Sequence, residues 1–280
     1  MRSVDSRSPP SPTPSVQVGV LLRGWRSARH LSQLDLALRA DVSARHLSFV
    51  ETGRAQPSRE LVSQLADALD VPLRERNALL VSAGYAPEIR ETTLSAPEMT
   101  QTRMAIDFIL RQQEPYPAFV LNRHWDLLMS NRASKRVFGF LIGNRPRHQN
   151  IMRQIFDPAS LRECVVNWEE VAGDMIRHLH GDAAAAQSDS RMSSLLNEVL
   201  AYPGVPSRWR TRELGAQAAP LLTAIYRAGD VELRFFSTVT RFGAPQDLTL
   251  DELRIECSFP ADDATDHFCR ELATTAERGG

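Results

Sequence analysis

Residues 32–54 read Ser32-Gln-Leu-Asp-Leu-Ala-Leu-Arg-Ala-Asp-Val-Ser-Ala-Arg-His-Leu-Ser-Phe-Val-Glu-Thr-Gly-Arg54. Ser32 is a good N-cap for a helix from Gln33 to Arg39, with Leu34, Ala37 and Leu38 expected inward. A three-residue link, Ala40-Asp41-Val42, follows. Ser43 then caps a second helix, Ala44 to Thr52, and Gly53 stands where a left-handed residue closes a helix. Two helices joined this tightly make a helix-turn-helix. Val42, Leu47 and Val50 bury the back of the second helix. That leaves Ala44, Arg45, His46, Ser48 and Phe49 near its open side. A helix so presented fits the major groove of DNA, its first turn against base edges. Its N-terminus also offers unpaired N–H groups to a phosphate.

The neighbouring sequence completes an all-α unit. Val18, Leu21, Leu22 and Trp25 form one face of a preceding helix. Ser58 caps a fourth helix, with Leu61, Leu65, Ala68 and Leu69 expected inward, and Pro72 opens a fifth that runs to about Ala83. Five helices are expected between residues 16 and 85.

The segment resembles the Cro/C1-type (XRE) helix-turn-helix family over residues 16–72. The shared pattern is Ser-Gln-x-x-Leu-Ala, then Val-Ser-x-x-x-Leu-x-x-Val-Glu-x-Gly-Arg, then Pro57-Ser58. Asp41 sits where the family often has Gly, so a left-handed residue is expected there. The resemblance implies binding to double-stranded operator DNA as a homodimer. It puts Arg45 and His46 where bases are read and Gln33 near the backbone or an edge base. Ser43 and Arg54 fall at phosphates, and Phe49 is placed to press on a thymine methyl. Glu51 is read as structural, pairing with a nearby Arg or a helix N-terminus.

Upstream, residues 1–15 are rich in Ser and Pro and read as a disordered tail. Downstream, residues 86–100 read as a linker. A helix is expected at about Glu98–Gln113, with Ala105, Phe108 and Ile109 on one face, stopped by Pro115 and Pro117. Two short apolar stretches between Ala118 and Ser130 flank a polar turn and suggest a β-hairpin. Asn131 is a candidate cap for a helix to Phe138. Residues 151–229 look mostly helical, broken by Gly181–Ser190 and by Pro203, Pro206 and Pro220. The period then changes to two. Val231, Leu233 and Phe235 mark one strand, and Leu253, Ile255, Cys257 and Phe259 another, each with one buried face. Strands at both ends of this region are expected to pair in one sheet, so it reads as α+β.

Pro115 to Ala133, Asn150 to Pro158 and Trp168-Glu-Glu resemble the ligand-binding domain of MmyB-like transcription regulators, covering roughly residues 101–275. That resemblance implies a PAS-like sheet, helices around an apolar cavity and a fatty-acid-like effector. Candidate ligand contacts are Tyr116, Phe119, Trp125, Asn131, Phe138, Trp168 and Phe235. The fold expected is therefore multidomain: an all-α five-helix unit followed by an α+β PAS-like unit. An alternative keeps DNA binding and makes the second unit a protein-interaction module without a ligand. A sizeable apolar cavity separates the two readings.

Composition sets the outer bounds. The chain has 280 residues, 42% apolar and 24% charged, with a net charge of −1. This is ordinary for a folded, non-membrane protein, and a cytoplasmic location is expected. Residues 1–90 carry 12 Arg and 9 acidic residues, a net of +3, which allows a DNA-contacting front. Cys164, Cys257 and Cys269 are too few and too scattered for a disulfide framework. His178, His180 and Asp182 lack helical spacing for one metal, and adjacent Glu169 and Glu170 diverge too far for acid–base work. No phosphate loop or nucleophile elbow is present. Neither a metal, a cofactor nor an enzymatic activity is expected.

Overall fold

Three serines start three of the front helices. In the computed structural model, which describes residues 14–143, 147–186, 189–211, 221–243 and 245–278, the chain divides into Met1–Arg90 and Glu91–Gly280. The expected N-terminal tail lies outside the described residues up to position 13. The front unit holds α1 (Pro14–Ala28), α2 (Gln33–Arg39), α3 (Ala44–Glu51), α4 (Arg59–Ala68) and α5 (Leu73–Ser82). The Ser32 hydroxyl accepts the Asp35 N–H at 3.1 Å, and the Asp35 carboxylate accepts the Ser32 N–H at 2.9 Å, a reciprocal capping box. Ser43 and Ser58 accept the N–H groups of His46 and Leu61 at 3.1 and 3.2 Å. Asp41 takes the left-handed conformation, with φ 48°, and Gly53 does so at φ 71°.

Val18, Leu22, Trp25, Leu36, Leu47 and Val50 lie at the centre of this unit. Two expected faces are corrected. Ala37 is buried as expected, but Leu34 and Leu38 are 60% and 73% exposed, and Leu36 is buried in their place. In α4 the buried set is Val62, Leu65 and Ala66, continued by Leu69, with Leu61 and Ala68 only half-buried. Both shifts have one cause. A short helix with apolar residues on several sides is rotated by its neighbours, not by its own period.

Gly19 lets α1 approach the last turn of α3. A Cβ built there meets the carbonyl oxygens of Val50 at 2.5 Å and Glu51 at 2.8 Å. These are backbone atoms, so one helix must move. Gly19→Ala gains about 1 kcal/mol of helix propensity and loses about 1–3 kcal/mol to overpacking. A net loss of stability, read in a denaturant titration, is the expected outcome.

The rear unit holds α6 (Thr100–Gln112), β1 (Ala118–Leu121), β2 (Leu127–Ser130), α7 (Arg132–Ile142), α8 (Ile151–Phe156), α9 (Trp168–Ala185) and α10 (Ser190–Ala201). After these come β3 (Thr223–Ala228), β4 (Val231–Thr240), α11 (Leu248–Glu252), β5 (Arg254–Pro260) and α12 (Asp263–Arg278). The strands form one antiparallel sheet in the order β2-β1-β5-β4-β3, so the two ends of the region do pair, β1 on β5. Leu94, within the stretch read as a linker, packs with this unit. No helix of the described residues is long and apolar enough to cross a membrane.

The sheet has two covered faces. Val120, Leu253, Ile255 and Cys257 meet Ile106 and Leu110 of α6. Phe119, Leu121, Leu233 and Phe235 belong to a second core with Val137, Phe156 and Ile176 from the helices. The register explains this: Val239 lies opposite Glu256 and Ser237 opposite Ser258. Thus the apolar faces of β4 and β5 look to opposite sides of the sheet.

Other expectations change here. Residues 223–228 are a strand, not helix, joined to β4 by Gly229-Asp230 with Gly229 at φ 58°. Helix α9 continues through Gly181 to Ala185, so the expected break comes later. Pro220 lies outside the described residues. In α6 the buried residues are Ile106 and Leu110, whereas Ala105 and Phe108 are exposed, because the sheet contacts the other side of the helix.

Candidate functional site

Helix α3 is held from behind and open in front. Leu47 and Val50 are buried in the core, and Glu51 joins them although it is charged. The Arg26 guanidinium grips the Glu51 carboxylate with two hydrogen bonds, at 2.7 and 2.9 Å. Gln33 Nε2 donates to the same carboxylate at 2.8 Å, and Arg23 stands 3.7 Å away. Burial pushes the Glu51 carboxyl upward. The bonds from Arg26 and Gln33 and the two arginine charges outweigh it, so the carboxyl sits below its usual range. One carboxylate thereby ties together α1, the start of α2 and the end of α3.

The front of α3 carries the expected candidates. Arg45 and His46 are exposed, and Ser43, exposed too, caps the helix. The Arg45 guanidinium lies 5.5 Å from the Phe49 ring, which is half-buried beneath it. Ala44 and Ser48 are half-buried, and Ala44 leans on the core. Arg54 is exposed just past the Gly53 turn, its N–H bonded to the Phe49 carbonyl at 2.8 Å. Gln33 is half-buried with one amide N–H bonded to Glu51, so its second N–H and its carbonyl remain to face a ligand.

In the rear unit a cavity of about 700 Å³ lies between the sheet and helices α7, α8 and α9. Four of the seven candidate contacts line it: Phe119, Trp125, Phe138 and Phe235. The other three are corrected, because each is engaged elsewhere. Asn131 is buried and caps α7, its Oδ1 accepting the N–H groups of Ser134 and Ala118 and its Nδ2 donating to the Tyr116 carbonyl. The Tyr116 hydroxyl bonds to Asp266 and Arg270. Trp168 donates to the Ile155 carbonyl at 2.7 Å and lies under the Arg162 guanidinium, 3.6 Å from its ring.

The structure adds residues that the sequence reading missed. Arg254, Glu256 and Ser258 of β5 were read as the outward side of a half-buried strand, yet they face the cavity. Ser237 and Val239 continue the wall from β4, Arg241 from just past its end, and Tyr226 joins from β3. Burial raises the Glu256 carboxyl above its usual range, opposed by Ser237 and Arg254. Burial and the Glu256 charge likewise raise the Tyr226 hydroxyl. Arg254 pairs with Asp182 at 2.6 Å and covers the Trp125 ring at 4.6 Å. The Trp125 indole donates to the same Asp182 at 3.1 Å, and Trp125 itself sits at φ 66°. The signal for β3 was present as Gly229-Asp230, a two-residue turn with glycine at its first position.

His178, His180 and Asp182 serve three different partners. His178 approaches Asp174, His180 bonds the Trp209 carbonyl at 2.7 Å, and Asp182 holds Trp125 and Arg254. Glu169 pairs with Arg208, and Glu170 bonds Asn167.

Comparison with known proteins agrees with this two-part organisation. Residues 102–272 match the MmyB-like transcription regulator ligand binding domain, and residues 17–79 match a helix-turn-helix domain. The transcriptional regulator ClgR of Mycobacterium tuberculosis is 39% identical over 67 residues, 24% of this chain and 57% of that protein. The HTH-type transcriptional repressor RghR of Bacillus subtilis is 32% identical over 115 residues, 39% of this chain and 78% of that protein. A crystal structure of the clp gene regulator ClgR from C. glutamicum is 28% identical, with a TM-score of 0.24, covering 26% of this chain and 92% of that one. The chain thus spans little more than half the length of the M. tuberculosis relative. Since the ligand-binding-domain match takes in well over half of its residues, the chain belongs to the MmyB-like transcription regulators, with a helix-turn-helix domain in front of the ligand-binding domain.

Proposed function

We propose that this protein is a ligand-responsive transcription regulator. The observation that carries the reading is α3: a serine-capped helix with a fully buried back and with Arg45 and His46 exposed on its first turn. Such a helix enters the major groove of operator DNA. Arg45 and His46 meet base edges, Phe49 supports Arg45 and reaches a thymine methyl, and Ala44 and Ser48 set the fit. Ser43, Arg54 and the free side of Gln33 meet the backbone, where contacts carry affinity and make it salt-dependent. The protein acts as a homodimer on half-sites about one helical turn apart. Operator DNA as partner implies a cytoplasmic location.

The rear cavity takes a small apolar or amphipathic, fatty-acid-like molecule. Its volume of about 700 Å³ and its walls of Phe119, Phe138 and Phe235 support that reading over a solid protein-interaction core. The ligand regulates only if it favours one DNA-binding state over the other, and its coupling to DNA affinity is then reciprocal.

Native mass spectrometry of the full chain, before and after mild organic extraction, tests this reading. A dimer carrying a small-molecule mass that extraction removes is the expected result. Adding the extract back should then shift affinity for operator DNA. A chain that carries no such mass, and whose DNA affinity ignores added acyl compounds, returns the rear unit to a protein-interaction role.

A further inference from the structure

The cavity wall is more polar than an alkyl chain needs. On β5 Glu256 and Ser258 face it, as do Ser237 on β4 and Arg241 just past the end of β4. The Ser237 and Ser258 hydroxyls lie 3.3 Å apart. Tyr226 enters from β3, and its hydroxyl makes no hydrogen bond to another described residue. The polar groups differ in depth. Arg241 is exposed and makes no ion pair among the described residues, whereas Glu256 and Tyr226 are half-buried. Arg254 is not available as a second anchor, because Asp182 already answers its charge.

An unbranched, unsubstituted chain laid across Glu256 strips water from its carboxyl, which otherwise bonds Ser237, and returns no hydrogen bond. A chain with an oxygen at that point returns one. Burial favours the neutral carboxyl at Glu256 over the charged one. Arg241 lies two residues beyond Val239, the residue opposite Glu256, and one past the end of β4.

We propose that the cavity selects an oxygenated acyl chain, whose carboxylate is met by Arg241 at the rim and whose hydroxyl or keto oxygen, a few carbons along, is met by Glu256. This rests on the reading of the cavity as an acyl site and specifies its ligand. Glu256 is then the specificity-determining residue. A site built to hydrogen-bond an oxygen discriminates against the analogue lacking it, because its own polar groups are left unpaired.

Calorimetric titration of the full chain tests the idea, using dodecanoic acid and its hydroxy and oxo derivatives substituted from the third to the eighth carbon. At least one derivative is expected to bind about tenfold more tightly than dodecanoic acid. Glu256→Leu should abolish that preference and leave dodecanoic acid bound as well or better. Glu256→Gln keeps a donor and should keep most of the preference. Thermal unfolding of each variant checks that the fold is intact. If dodecanoic acid binds and no derivative binds better, or if the preference survives Glu256→Leu, the selection of oxygenated chains is wrong and the acyl site stands. If none of these compounds binds, the acyl site fails and takes this inference with it.

Discussion

Glu51→Ala is expected to unfold the helix-turn-helix unit under conditions where the rest of the chain stays folded. The Glu51 side chain is fully buried and engaged by Arg26 and Gln33, with Arg23 nearby. Removing it leaves the Arg26 guanidinium, itself largely buried, without its counter-charge. Breaking a buried pair from one side costs about 3–5 kcal/mol. A domain of this size has a total stability of only about 5 kcal/mol. Calorimetry of the full chain should therefore show the front transition shifted down by many degrees or lost. Glu51→Gln, which keeps the shape and one acceptor, should lose less. A shift equivalent to under about 1 kcal/mol for the alanine variant would mean that the pair is not what holds the three helices.

The same residue gives the unit an acid limb. The folded-state pKa of Glu51 lies below its ordinary 4.5. Its contribution is therefore complete above the ordinary carboxylate range and is lost as pH falls through the depressed folded value. The wild-type front transition should drop in that window, and the slope should flatten in Glu51→Gln, which cannot titrate there.

Arg45→Ala is expected to weaken operator binding about 10- to 100-fold and to relax base preference at one position of each half-site. Arg45 is exposed on the first turn of α3, where side chains reach base edges, and its guanidinium is held over the Phe49 ring. Arg54→Ala is the control. It should weaken all sequences alike and lower the salt slope by about one, as a phosphate contact does. Anisotropy titrations against a randomised operator, at two salt concentrations, separate the cases. Unchanged affinity and unchanged preference in Arg45→Ala would remove α3 from the groove.

The readable parts of this chain are those governed by neighbours in sequence. Ser32, Ser43 and Ser58 cap helices because a hydroxyl reaches an N–H three residues on. Asp41 and Gly53 close turns because they tolerate positive φ. The unreadable parts turn on which side a segment presents. Leu34 and Leu38 sit i, i+4 and look like a buried pair, but α2 packs through Leu36 and Ala37. Trp168, Tyr116 and Asn131 are aromatic or polar residues of the kind that line cavities, yet each is bound to another part of the chain. Glu256 alternates with apolar neighbours as a solvent-facing residue does, yet the sheet has helices on both faces and Glu256 lines the cavity.

The order of the front helices, the location of the turn between α2 and α3, and the alternation of β4 and β5 are legible locally. Each depends on backbone propensity and on contacts within a few residues. Packing settles which face of α2 is buried, that residues 223–228 complete the sheet, and that the polar side of β5 lines a cavity rather than solvent. The first depends on how α2 packs against α3 and α4, and the last on strand register and on what packs across the sheet, over separations of a hundred residues or more, as between Phe119 and Glu256. At that range, local pattern leaves the two faces of a strand equivalent, and burial against a distant partner breaks the tie.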